Sequence, residues 1–139
     1  MHSGHVVRAA SAQEWFDTLP DAFARLWAQV PGVPADDRWA MELAVTEIAG
    51  NLLRHSADPG AVTVRAELSA NAHEVRAVLE DTAPGVELDL DRPMPGPEAE
   101  SGRGLALVRA CANVVEHRAG PAGTRWVLTR TAEGRDPEG

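Results

Sequence analysis

Three groups of residues in this chain have types and spacing that could do chemistry. Glu47, Asn51 and His55 recur at intervals of four, which on a helix puts a carboxylate, an amide and an imidazole in one row. The residues just before them on that side, Ala40, Leu43 and Ala44, are apolar, so the row either lines a pocket or marks where the exposed face of the helix begins. Asp81 ends an apolar run and is followed by Thr82-Ala83-Pro84-Gly85. A carboxylate placed there suits polar recognition at a strand end, and it suits a simple Asp turn equally well. Gly102-Arg103-Gly104-Leu105 reads as the start of a helix, where free N–H groups and the positive end of the dipole favour an anion and glycine admits a close phosphate. The alternative for such a short Gly-x-Gly is a flexible lead into the helix.

The elements that must position these groups can be read from periodicity. Val6 to Ala10 is extended, and Ser11 to Glu14 has capping-box spacing ahead of a helix carrying Trp15, Phe16, Leu19, Phe23, Leu26, Trp27 and Val30, which Pro20 should kink or split. Pro31 to Pro34 breaks the chain. Ala35 to His55 is the longest predicted helix, with Asp36 and Asp37 at its N-terminus and Trp39, Leu43, Val45, Ile48, Leu52 and Leu53 along it. Trp15, Trp27 and Trp39 are expected in the core. Val62, Val64, Ala66 and Leu68 alternate with polar residues, Asn71 to His73 turns the chain, and Val75, Ala77 and Leu79 alternate again, which predicts an antiparallel hairpin. From Thr82 to Ser101 the pattern disappears into a functional or disordered loop, with four prolines and, counted from Asp81 to Glu100, six acids against Arg92 alone. A short helix from Gly102 should turn Leu105, Val108 and Ala112 to one side. Two strands, Val114 to Arg118 and Thr124 to Thr131, should follow, joined by Ala119 to Gly123.

Composition sets the outer bounds. The 139 residues fit one domain, taken as residues 1–132 with a polar tail at 133–139. No apolar run reaches the length of a membrane span. The start MHSGHVVRAAS lacks a basic stretch followed by an apolar one, and Cys111 is the only cysteine, so a cytoplasmic location is expected. All 13 basic residues are arginine, and 21 acids leave a net charge of -8, which disfavours nucleic acid as a partner. Without lysine, phosphate can be held only by backbone N–H groups, arginine or a metal.

The order of these groups resembles a known family. A Glu-x-x-x-Asn helix, a hairpin ending in Asp-x-x-Pro-Gly, a long loop, Gly-x-Gly-Leu and then Gly123-Thr124 is similar to the ATP-binding domain of the GHKL superfamily. The stretches Glu47 to His55 and Ser101 to Arg109 resemble most the bacterial anti-sigma-factor serine/threonine kinases, and the likeness runs from about Val6 to Arg130. It implies an α/β two-layer sandwich, a mixed and mainly antiparallel sheet with helices on one face. ATP and Mg²⁺ are the implied cofactors. Asn51 would ligate the metal and Glu47 would serve as general base. Asp81 would accept the adenine amino group with Thr124 beside it, Gly85 would lie under the nucleotide, and Gly102, Arg103, Gly104 and Leu105 would meet the phosphates. Ala83 stands where the family usually has glycine. The implied partners are a sigma factor, held inactive, and an anti-anti-sigma protein as substrate, with a second copy of the chain as a further one. Retention of Glu47 favours a kinase; a non-catalytic ATP-dependent interaction switch is the alternative.

Overall fold

A computed structural model describes residues 3–56, 58–83 and 99–131, with the backbone only at His55 and at residues 99–103. In chain order the elements are β1 (Ser3–Ser11), α1 (Trp15–Gln29), α2 (Ala35–His55), β2 (Thr63–Asn71), β3 (Glu74–Asp81), α3 (Ala99–Cys111), β4 (Val114–Gly120) and β5 (Gly123–Thr131). The strands form one sheet in the order β1-β2-β3-β5-β4, and every pairing is antiparallel. The helices cover one face of it. This is the expected two-layer α/β architecture.

Alternation decides which face is covered. Val64, Ala66, Leu68 and Ala70 of β2 are buried, and the register sets Ala66 opposite Leu79, Leu68 opposite Ala77 and Ala70 opposite Val75. On β5, Leu128 continues the row beside Ala77. Against this surface α1 buries Trp15, Leu19, Ala22, Phe23 and Leu26, while α2 buries Ala40, Met41, Ala44, Val45 and Ile48. Each large side chain removed from water contributes about 1.5–3 kcal/mol. The turns follow side-chain chemistry: Asn71 Oδ1 accepts the N–H groups of His73 at 2.8 Å and Glu74 at 3.0 Å, which closes the β2–β3 hairpin.

Several local expectations change. Ser11 and Glu14 do contact each other, the Glu14 N–H donating to Ser11 Oγ at 3.3 Å and the Ser11 hydroxyl to Glu14 Oε1 at 2.9 Å, but they form a turn just ahead of α1. Pro20 neither splits nor ends that helix, because the buried residues on both sides of it pack on the same sheet. Trp39 is 65% exposed rather than in the core. It precedes Met41 by two positions, roughly 200° around the helix from the buried stripe. Helix α3 begins at Ala99 rather than Gly102; Ala99 and Glu100 follow Pro97, and a good helix former and an acid suit a first turn. The predicted loop loses its last three residues to α3. Residues 84–98 of it, including Gly85, and the polar tail lie outside the described residues. No described helix is long and apolar enough to cross a membrane.

One side chain ties three elements together at the end of the sheet. Arg130 Nε donates to Asp37 Oδ1 at 2.7 Å in the first turn of α2, and Nη1 donates to the Cys111 carbonyl at 2.9 Å where α3 ends. The Asp37 side chain is only 12% exposed, so removal of the guanidinium takes a close cationic partner from a mostly buried carboxylate. Arg130→Met should lower stability by about 1–3 kcal/mol, less than a fully buried pair would lose. Urea denaturation measures this, and an unchanged midpoint would reduce the contact to a surface pair of no consequence.

Candidate functional site

The first half of the site lies in the seam between α2 and α3. The buried stripe of α2 gives way to Glu47, whose side chain is 26% exposed, and Asn51, half-buried one turn on. From the other side comes Gly104 of α3. A methyl group on Gly104 would collide with Glu47 Oε1 and stand 3.2 Å from Cδ and 3.3 Å from Cγ. The glycine therefore clears space for the carboxylate. Leu105 beside it is buried, as are Val108 and Ala112, which hold α3 in place. Because α3 starts at Ala99, Gly104 and Leu105 lie past the four N–H groups that a helix leaves unpaired. Their amides belong to the helix ladder in this arrangement, and Gly102 stands at its edge. The side chains of Arg103 and His55 are outside the described residues.

A third side chain joins this group, one the sequence reading passed over. Arg54 Nη2 donates to Asn51 Oδ1 and lies 3.6 Å from Glu47 Oε1. Spacing alone held the signal: Arg54 follows Asn51 by three and Glu47 by seven, the same side of a helix.

The second half of the site is at the end of the sheet. Asp81 and Thr124 face each other across β3 and β5, and both line a cavity of about 310 Å³ together with Arg118, Ala119 and Gly123. Asp81 Oδ1 accepts the Ala83 N–H at 2.9 Å, so the alanine at that position takes part in fixing the carboxylate. Thr82 is pinned as well, its Oγ1 accepting from the Thr63 N–H at 3.0 Å. Gly123 has φ +145°, and a methyl group there would run into the Asp81 carbonyl. Only glycine allows β5 to start so close to the end of β3. Burial pushes the Asp81 carboxyl above its ordinary range, partly offset by hydrogen bonds from the Ala83 and Thr124 backbone. A carboxylate offers about four acceptor positions, so these two bonds leave capacity for an outside donor.

The structure thus brings Glu47, Asn51 and Gly104 together and, separately, Asp81 and Thr124. Residues 12–130 match the histidine kinase-like ATPase domain family. The chain belongs to that family. It is therefore a kinase-like ATPase domain, a class that implies ATP as ligand.

Similar solved structures agree on the fold. A chain comprising the RsbU and RsbW domains of Rv1364c from Mycobacterium tuberculosis matches with TM-score 0.63 at 20% identity, over 94% of this chain and 34% of that one. The histidine kinase domain of the blue-light activated histidine kinase from Erythrobacter litoralis EL346 matches with TM-score 0.55 at 24% identity, over 70% of this chain and 48% of that one. This ATPase domain thus spans between a third and a half of the length of those chains. No curated protein matches it.

The raised Asp81 pKa carries a sign. An acid whose folded-state pKa lies above its unfolded value burdens the fold only once ionised; the burden is absent below the ordinary carboxylate range and complete above the raised value. Asp81→Asn keeps an acceptor for Ala83 and removes the charge. The variant should therefore gain melting temperature over the parent as pH rises from about 3.5 to about 7, and thermal melts across that range check it. A difference that does not grow with pH would show that burial does not govern this carboxyl.

Proposed function

We propose that this ATPase domain is a Mg-ATP-dependent serine/threonine protein kinase of anti-sigma type, which phosphorylates an anti-anti-sigma protein and holds a sigma factor inactive. The observation that carries the reading is the seam itself: a carboxylate, Glu47, confined against Gly104, with the amide oxygen of Asn51 one turn away. The order of motifs along the chain supports the choice of kinase type, as does the likeness in fold, over nearly the whole chain, to one containing an RsbW domain.

The residues present suit a hard cation. Asn51 and Glu47 turn oxygen atoms toward one position, and a guanidinium already stands there. Among the described residues no three acidic, histidine or cysteine side chains cluster as a metal cage, so Asn51 would hold Mg²⁺ only jointly with phosphate oxygens and water. When bound, Mg²⁺ supplies charge neutralisation to the phosphates, the main requirement of phosphoryl transfer. Asp81 accepts the adenine amino group, with Thr124 alongside. Gly85, on the family pattern, would lie beneath the nucleotide. Gly102, Arg103, Gly104 and Leu105 face the phosphates, which requires the first turns of α3 to open so that their amides leave the ladder. Glu47 takes the proton of the substrate hydroxyl as its oxygen bonds to the γ-phosphorus; the bond to the β-phosphate oxygen breaks and ADP leaves.

A non-catalytic nucleotide-dependent switch is the second reading, favoured by the Arg54 contact, which engages the Glu47 carboxylate. One pair of measurements separates the two. Glu47→Gln keeps the shape that fits against Gly104, so it should bind ATP and sigma factor like the parent while transfer to the anti-anti-sigma protein falls by about 10²- to 10⁴-fold. Calorimetry and transfer of labelled phosphate read the two quantities. A parent that never phosphorylates a serine or threonine of such partners ends the kinase reading, and parental transfer by the variant ends the role of Glu47. For the base, Asp81→Asn should reduce the preference for ATP over GTP, since one acceptor becomes a donor; an undiminished preference would leave Asp81 as a turn residue.

A further inference from the structure

Arg54 has no place in the scheme above, yet its guanidinium sits at the centre of the seam. Helical side chains lean toward the N-terminus, and Arg54 leans back over Gly50, where a methyl group would stand 3.2 Å from Nη1 and 3.3 Å from Phe16 Cζ. Gly50 leaves the path open. A single nitrogen, Nη2, then reaches both Asn51 Oδ1 and Glu47 Oε1. The amide oxygen assigned to the metal and the carboxylate assigned to the proton are thus held by one cation supplied by the chain.

We propose that Arg54 is a positioning residue whose guanidinium competes with the divalent ion of Mg-ATP for the oxygens of Asn51 and Glu47. The inference rests on the Mg-ATP reading. A guanidinium and a metal ion would take the same oxygen lone pairs of Asn51 and Glu47, and the Arg54 side chain is 56% exposed, so its long stem can swing out to solvent without disturbing the core. Its departure frees Glu47 at the same moment. The carboxylate is then available as a base only when the nucleotide is loaded.

The test titrates ATP by calorimetry over a series of Mg²⁺ concentrations, using the whole chain as the parent, Arg54→Met and Arg54→Lys. Methionine keeps an unbranched stem and removes the competing charge, so the Mg²⁺ concentration giving half of the gain in ATP affinity should fall roughly three- to tenfold, the net worth of one partly exposed hydrogen bond. Lysine restores a cation and should return the value toward the parent, a rescue that a merely structural role would not show. In the nucleotide-free state the Asn51 side-chain amide NMR signal should also move in Arg54→Met. Mg²⁺-dependent binding with the same half-point in all three proteins, or a higher Mg²⁺ requirement in Arg54→Met, overturns the inference alone. No ATP binding by the parent overturns the Mg-ATP reading and the inference with it.

Discussion

The seam between α2 and α3 is so narrow at residue 104 that the position can carry no side chain, and the rest of the site depends on that constraint. Leu105, Val108 and Cys111 bury one side of α3, and Ala44, Val45 and Ile48 bury one side of α2. Those apolar contacts set how closely the helices approach. Glu47 leaves the buried stripe of α2 at the level where Gly104 makes room, so its carboxylate is confined by backbone on one side and by Arg54 on the other. A larger residue at 104 would expel the acid, and an apolar residue at 47 would fill the seam and end its chemistry.

A second close approach governs the other half of the site, through backbone instead of a helix seam. β5 starts against the Asp81 carbonyl because Gly123 takes a positive φ, and the next residue, Thr124, falls opposite Asp81 in the β3–β5 register. Strand pairing alone fixes the identity of that neighbour, since a slip of one position would turn Thr124 to the outer face. The carboxylate is then held by N–H groups before any ligand arrives. Its burial raises its pKa, so its ionisation is tied to the cover over the strand end.

Much of the fold was legible in the sequence because its signals are periodic. The alternation in β2 and β3 and the 3.6-residue stripe of α2 announce themselves over many residues, and Asp81 was correctly placed at a strand end. Pairing of β1 with β2 was not legible, since an extended run does not name its neighbour. Trp39 misled because residue type argued for burial while its angle around α2 argued against it. Gly104 shows a deeper limit: a glycine that admits a phosphate and a glycine that admits a carboxylate are the same letter. Arg54 was overlooked for a similar reason, as an exposed arginine late in a helix usually belongs to solvent.

Arg54 also resolves a conflict that the seam creates. Without ligand, a partly buried carboxylate beside an amide oxygen needs a positive partner, and a chain of net charge -8 adds to that need. A partner locked in place would deny the site to a metal. An arginine on a long exposed stem meets both demands, since it compensates Glu47 and regains rotamer freedom when it withdraws into solvent. The acidity of the chain reinforces the exchange: a bare nucleotide polyanion is repelled, and one carrying a divalent cation is less so. On the proposed Mg-ATP reading, metal, nucleotide and the release of Glu47 become linked events, because the metal would take the oxygens that the guanidinium gives up.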